Sequence, residues 1–172
     1  MAKPTIIAID GHDASGKTTI AKLLSKEIDG KYIKPFDGNI GDMIVWAYKK
    51  KKYSLIDEIA INVIEMNIDK NRNEKYLIFD RHWLSIETLL YENNIRTKIE
   101  KPLTILCWED LSTTSNRLTK RNDNLENEWN NEYYCELYKQ LAEENGLYII
   151  DTSNNPDPEF VVKKLISDLH LK

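Results

Sequence analysis

The stretch Gly11-His12-Asp13-Ala14-Ser15-Gly16-Lys17-Thr18 constrains this chain more than any other, because it satisfies G-x-x-x-x-G-K-[ST], the pattern of a phosphate-binding P-loop. Such a loop works through its backbone. The glycines let the chain curl so that successive N–H groups point inward as an anion nest. Gly11, His12, Asp13, Ala14, Ser15 and Gly16 are the expected cradle, continued by Lys17, Thr18 and Thr19. Lys17 adds a mobile positive charge for β- and γ-phosphates, and the Thr18 hydroxyl is placed to bind Mg²⁺. The flanks agree. Thr5 to Ile9 is a short apolar run suited to a buried parallel strand. Thr18 to Ile28 carries Ile20, Leu23, Leu24 and Ile28 at helical spacing, with Gly30 as a stop. Strand, loop and helix in that order put phosphates at a helix N-terminus, where the dipole favours anions.

The rest of the chain alternates in the same way. Lys31 to Phe36 reads as a second strand with Pro35 near its end. Asn39 is the expected cap of a helix from Ile40 to Tyr48 with Met43, Ile44 and Ala47 inward. Lys49 to Lys52 reads as a solvated helix end. Ser54 to Asp57 resembles a capping box opening a helix whose rows Leu55, Ile59, Val63 and Ile56, Ala60, Ile64 predict burial. Tyr76 to Phe79 is a compact strand ending in Asp80-Arg81-His82, followed by a helix from Trp83 to Tyr91 and a strand from Leu103 to Cys107. A polar helix with Arg117 and Arg121 precedes the polar stretch Asn122 to Asn131. Trp129, Tyr133, Leu137 and Leu141 stripe the next helix, which Gly146 ends. Leu147 to Ile150 is the last strand. Asp157-Pro158 opens a final helix with Val161, Leu165, Ile166 and Leu169 inward.

Five strands alternating with helices call for an α/β fold of three layers, a five-stranded parallel sheet flanked by helices. At 172 residues the chain reads as a single P-loop domain over 1–172, with a small lid around 112–131. Ligands in such a sheet bind beyond the carboxyl ends of the strands. A net charge of −4 argues against a nucleic-acid polymer as partner. No apolar run reaches membrane-spanning length and the N-terminus lacks a signal-peptide core, so the expected location is cytoplasmic, with no membrane partner. Cys107 and Cys135 do not form a metal-ligand cluster.

Phosphoryl transfer asks for positioned phosphates, a metal, an oriented acceptor and positive charge around the transferred group. Asp80 and Arg81 lie at a strand end on the P-loop edge of the sheet. Asp80 is placed to hold Mg²⁺ or orient an acceptor, and Arg81 to grip an acceptor phosphate through two bonds. Arg117 and Arg121 share one helical face, as a closing flap would need or as two solvated arginines would show equally well. Asp13, a carboxylate among phosphate-binding amides, reads as a contact to an acceptor hydroxyl; a bond to its own loop is the alternative. His12, His82 and His170 are scattered and read as structural. Trp83, beside Asp80-Arg81, is a candidate base platform as well as a core residue.

The order of these motifs resembles the thymidylate kinase family over nearly the whole chain. Ile9 to Thr19 is similar to that family's P-loop, which carries an internal Asp where Asp13 stands. Pro35 with Ile40-Gly41-Asp42-Met43-Ile44 resembles the segment after its second strand. Phe79-Asp80-Arg81-His82-Trp83-Leu84-Ser85 looks like its Asp-Arg-x-x-x-Ser pattern, and Arg117-x-x-x-Arg121 with Asp123 to Glu126 looks like its lid. Tyr138 and Asp151-Thr152 fall where the family has a late tyrosine and a last-strand Asp. The resemblance implies ATP-dependent phosphorylation of a deoxynucleotide, usually by a homodimer, with ATP and Mg²⁺ as cofactors. It implies Lys17, Asp80, Arg81, Arg117 and Arg121 as catalytic residues, the arginines coming from the lid because Ala14 stands where other members place one. It implies Asp13, Pro35, Phe36, Asn62, Arg81 and Ser85 as acceptor contacts, and Thr18 and Asp80 at the metal. The departures fall at the acceptor site. Lys34-Pro35 stands for Glu-Pro, Ile61-Asn62-Val63 for Ala-Asn-Arg, Leu89-Leu90 for the base-reading Tyr-Gln, and Asn124 for a lid Arg.

The expected activity is therefore transfer of a phosphoryl group from ATP to a deoxynucleoside monophosphate. A deoxynucleoside kinase is the alternative, needing a general base such as Asp37 or Asp80. A nucleotide-dependent regulatory ATPase is the alternative of another class, since the P-loop is common to all three.

Overall fold

The computed structural model describes residues 3–120, 131–154 and 156–171. Among them a five-stranded sheet is built from β1 (Thr5–Asp10), β2 (Lys31–Ile33), β3 (Tyr76–Asp80), β4 (Leu103–Trp108) and β5 (Tyr148–Asp151), in the order β2-β3-β1-β4-β5. All four pairings are parallel. The expected α/β sheet is the one observed. Between the strands run α1 (Lys17–Glu27), α2 (Asn39–Lys49), α3 (Tyr53–Lys70), α4 (Trp83–Tyr91), α5 (Leu111–Lys120), α6 (Asn131–Glu144) and α7 (Pro158–Asp168).

Alternation along the strands divides the core between the two faces. Ile7, Ile9, Ile78 and Ile105 point to α1 and α7, where they meet Leu24 and Leu165. Leu77, Phe79 and Leu106 point the other way, into the cluster of α3, α4 and α6 with Ile56, Leu90 and Leu141. Burying each such side chain contributes about 1.5–3 kcal/mol, so both layers are needed to hold the sheet. β1 sits at the centre with β3 and β4 on either side, so its carboxyl end is the switch point of the sheet.

Several boundaries moved. β2 stops at Ile33 rather than Phe36, because Pro35 lies in the turn that follows and has no N–H for the ladder. Asn39 is not a cap. It is the first residue of α2, and Gly38 takes the capping position without a side-chain bond. Met43 is 49 % exposed, so α2 turns only Ile44 and Ala47 fully inward. In α3 the row Ile56, Ala60, Ile64 is the deeply buried one, and the cap is Lys52, not Ser54. α7 buries Val162 and Leu165, with Val161, Ile166 and Leu169 half-buried, and its expected cap holds: Asp157 accepts from the Glu159 N–H at 3.2 Å with Pro158 next in line. Gly146, at φ +62°, ends α6 in the left-handed conformation that favours glycine, as its place in the sequence predicts.

Two buried carboxylates tie down the loop before β4. Asp57 accepts from the Thr97 hydroxyl and from the Lys98 N–H at 3.2 Å, and Glu87 accepts from the Thr97 N–H at 2.8 Å and Arg96 Nη1 at 2.9 Å. A buried carboxylate persists when its lone pairs are met in this way.

Arg121, Asn122 to Asn130 and Trp129 lie outside the described residues. Arg117 lies on α5, and its side chain is likewise outside them. Among the described residues no helix is long and apolar enough to cross a membrane.

Candidate active site

The P-loop leaves β1 at Asp10 and enters α1 at Lys17. Gly11 is required where it stands, since a Cβ there would collide with the Cys107 carbonyl of β4 and with Ser15 Oγ. The loop is fastened at both ends of its curve. The His12 ring accepts from the Glu109 N–H through Nε2 at 3.3 Å, and its Nδ1 lies 2.9 Å from the Asp13 carbonyl. That pair of contacts suits the neutral tautomer with the proton on Nδ1. Burial pushes the His12 imidazole down to about 4, in agreement. On the other side Thr152, just past β5, donates to the Ser15 carbonyl at 3.0 Å.

Lys17 is buried, and its Nζ donates to the His12 carbonyl at 3.0 Å and stands 3.9 Å from Asp13 Oδ1. Burial first, and then the Arg81 charge, push its ammonium down to about 8. An entering polyphosphate would supply the counter-charge this ammonium lacks. Beside it, Thr18 Oγ1 donates to Asp80 Oδ2 at 2.7 Å, and Tyr32 OH donates to the same oxygen at 2.8 Å. The other oxygen, Asp80 Oδ1, is buried with no hydrogen-bond partner. A hydroxyl and a half-satisfied carboxylate side by side are hard oxygen ligands of the kind Mg²⁺ takes, so these residues fit the ion.

Arg81 leaves β3 at φ +80°, a left-handed conformation that a long side chain rarely adopts. Its backbone N–H is held by the Ile9 carbonyl at 3.0 Å. This turn sends the guanidinium to the P-loop, where Nη2 binds Asp13 Oδ1 and Nη1 lies 3.3 Å from the Gly11 carbonyl, Ser85 Oγ and Tyr138 OH. Burial alone would raise the Asp13 carboxyl; Arg81 and then Lys17 reverse this and hold it below the ordinary carboxylate range. Beneath them Asp10, fully buried, accepts through one oxygen from the His82 N–H, the Ser85 N–H and Ser85 Oγ, the last at 2.6 Å. Burial raises its carboxyl despite those bonds. Asp10 thereby links the P-loop's root to the start of α4. The sequence reading missed this role, although a polar residue closing an otherwise apolar strand is its signal.

A cavity of 220 Å³ opens at this end of the sheet. Arg81, Asp13 and Ser85 form its polar corner, and Phe36, Ile44, Val45 and Leu89 its apolar side. Tyr134, Tyr138 and Thr88 also line it, with His12, Gly41 and Ile86. Of the expected acceptor contacts, Asp13, Phe36, Arg81 and Ser85 are brought together here. Pro35 is buried in the preceding turn and does not line the cavity, and Asn62 is exposed on α3 and away from it. The candidate bases of the nucleoside alternative are also elsewhere. Asp37 is exposed and bound to Lys34 at 3.0 Å, and Asp80 is engaged by Thr18 and Tyr32. Trp83 is core, its Nε1 donating to Thr104 Oγ1 at 2.8 Å. Among the described residues no three His, Cys, Asp or Glu side chains cluster as a metal site.

Sheet order, P-loop and the Asp80-Arg81 corner together define a P-loop kinase fold. In sequence the chain is similar to thymidylate kinases and departs from their pattern at the acceptor residues. It is 27 % identical to a probable thymidylate kinase of Pyrobaculum aerophilum over 88 % of its own length and 90 % of that protein. It is also 40 % identical over 68 residues to the bifunctional pantoate ligase/cytidylate kinase of Prochlorococcus marinus, a match spanning 40 % of this chain and 13 % of that longer protein. No family model matches the chain. Among solved structures, the fold is shared with thymidylate kinase of Candida albicans (TM-score 0.65, 18 % identity, 99 % of this chain and 92 % of that one). It is shared equally with deoxyadenosine kinase of M. mycoides with bound dATP (TM-score 0.67, 19 % identity, 96 % and 99 %).

Proposed function

We propose that this protein transfers the γ-phosphoryl group of ATP to a deoxynucleoside monophosphate, giving the diphosphate and ADP. One observation carries the reading: Arg81 crosses from the end of β3 to lie in the acceptor cavity against Asp13, next to the P-loop and to the Thr18–Asp80 pair. The P-loop amides and Lys17 bind the ATP phosphates. Thr18 and Asp80 would hold Mg²⁺, which supplies charge neutralisation between the phosphates when bound. Arg81 grips the acceptor phosphate, and Asp13 orients both Arg81 and a sugar hydroxyl. An acceptor phosphate oxygen forms the new bond to the γ-phosphorus while the bond to the β,γ-bridging oxygen breaks, and ADP leaves with that electron pair. The attacking oxygen is already ionised at neutral pH, so no general base is needed, and Asp13, the lone carboxylate along the described lining, is held by Arg81. Arg117 and Arg121 are the proposed lid cations. Phe36, Val45 and Leu89 offer the base an apolar slot.

A deoxynucleoside kinase is the second reading, favoured by one observation: Arg81 is the lone cation along the described lining, and Asp13 already holds it. A homodimer is the assembly the family resemblance carries, and Met43 and Trp46, each 49 % exposed on α2, are apolar surface such a pairing would cover.

Equilibrium binding of thymidine monophosphate and thymidine to the Arg81→Ala variant tests the main reading. Loss of the buried charge contact is expected to weaken the monophosphate by about 2–5 kcal/mol and to leave the nucleoside nearly unchanged. Equal binding of the monophosphate to both proteins would remove Arg81 as the phosphate grip.

A further inference from the structure

No motif in the sequence marks Tyr32, yet strand register brings it to the ATP side of the site. β2 pairs with β3 so that Tyr32 lies opposite Ile78. Side chains alternate along a strand, so Ile78 and Asp80 share one face of the sheet, and Tyr32 lies on that face with them. Its ring packs there against the core cluster that contains Ile78 and Leu24. Two residues of strand, about 7 Å, separate Ile78 from Asp80, a span the long phenol covers. Its hydroxyl donates to Asp80 Oδ2 at 2.8 Å.

The same face is covered by α1, on which Thr18 and Lys22 stand one turn apart. Thr18 Oγ1 donates to the same Asp80 oxygen at 2.7 Å, and Lys22 Nζ lies 5.6 Å from the centroid of the Tyr32 ring. Helix and sheet thus meet at one carboxylate oxygen, and each gives it a donor. Packing asks only for the ring, since phenylalanine would fill the same place against the core and beneath Lys22. What the hydroxyl adds is the bond to Asp80.

That bond bears on Thr18. A threonine hydroxyl has one proton, and spending it on Asp80 leaves the oxygen's lone pairs turned away from the carboxylate and open to a cation. The hydroxyl is therefore only as well oriented as the carboxylate that receives its proton. The last torsion of an aspartate is broad, so with Thr18 as sole donor the carboxylate can turn and offer either oxygen. A second donor, reaching in from β2, stops that turn.

We propose that Tyr32 is a positioning residue for the metal: it locks Asp80, and through Asp80 the Thr18 hydroxyl, in the orientation that receives the Mg²⁺ of Mg-ATP. This role rests on the reading of Thr18 and Asp80 as the metal side of the site. Groups that hold a metal's ligands in place are commonly worth roughly tenfold or more in metal affinity.

Equilibrium binding of a non-hydrolysable ATP analogue, measured in Mg²⁺ and again in EDTA, separates positioning from packing. Mg²⁺ is expected to tighten the analogue on the native chain. Tyr32→Phe keeps the ring and removes one oxygen, so it is expected to weaken binding about tenfold in Mg²⁺ and to leave binding in EDTA unchanged. Placed on Asp80→Asn, the same change is expected to add less than about twofold, because Tyr32 acts through that carboxylate. Equal weakening in Mg²⁺ and EDTA would make Tyr32 a packing residue, and a full tenfold loss on Asp80→Asn would remove the relay. Native and Tyr32→Phe chains binding alike in Mg²⁺ would overturn the proposal and leave the metal at Thr18 and Asp80. A native chain indifferent to Mg²⁺ would overturn that reading itself, and the role of Tyr32 with it.

Discussion

The two halves of the site are built in different ways. On the ATP side eight consecutive residues make the loop, and what they need from elsewhere is mostly backbone: the Glu109 N–H, the Cys107 carbonyl's clearance and one hydroxyl from Thr152. On the acceptor side the cavity is assembled from side chains of α2, α4, α6, the P-loop and the turn after β2, and its polar corner depends on one arginine in a strained conformation. A backbone nest tolerates changes around it. A side-chain pocket changes its ligand with each substitution, which is how one fold serves different acceptors.

If that division holds, variants should affect one side at a time. Lys17→Met is expected to have the largest effect, lowering kcat/KM for ATP by about 10³-fold, since it removes a preorganised charge from the transferring phosphates. Acceptor binding measured without ATP should barely change; a matching loss there would mean the halves are coupled through Asp13.

Stability against pH compares the two halves next. His12 fastens the P-loop and His82 lies behind Arg81. Both refuse protons when folded, down to about 4 and 3, while the unfolded chain takes them up near 6.5. Folded stability is thus undiminished above 6.5 and falls as pH drops below it, by about 4 kcal/mol between pH 8 and pH 5 for the two together. Asp10, raised by burial, acts with the opposite sign and trims this loss. Urea unfolding at both pH values measures it, and His82→Phe should halve the slope. An unchanged slope would place the proton uptake elsewhere.

Leu89→Ala is expected to alter the preference among acceptor bases by about 1–3 kcal/mol with KM for ATP unchanged, as competition between pairs of monophosphates would show. Thr152→Val has the smallest expected effect, about 1 kcal/mol from the lost bond to the Ser15 carbonyl, read in ATP affinity and not in acceptor affinity.

The same contrast explains what could be read from the sequence. The P-loop, the order of strands and helices, α4 and the Asp157-Pro158 start of α7 were legible, because each is fixed by residues adjacent in the chain. Asp80 and Arg81 were legible from their place at a strand end. The partners of these residues were not: Tyr32 on Asp80 and Asp10 on Ser85 join positions 48 and 75 residues apart, and no local pattern encodes that. Asn62 was expected at the acceptor by its place in a motif, yet the face α3 turns inward carries Ile56, Ala60 and Ile64, and this leaves Asn62 in solvent. Met43 failed for the related reason that a stripe predicts a face of a helix but not how wide its neighbour is.

ADP release from Mg-ATP, followed in a coupled assay with a panel of deoxynucleoside monophosphates beside the matching nucleosides, tests the central claim most directly. The account predicts turnover stimulated by at least one monophosphate and lost in Arg81→Ala. Stimulation by nucleosides alone would contradict it in favour of the second reading, and a slow rate indifferent to every acceptor would leave a P-loop ATPase with a kinase's fold.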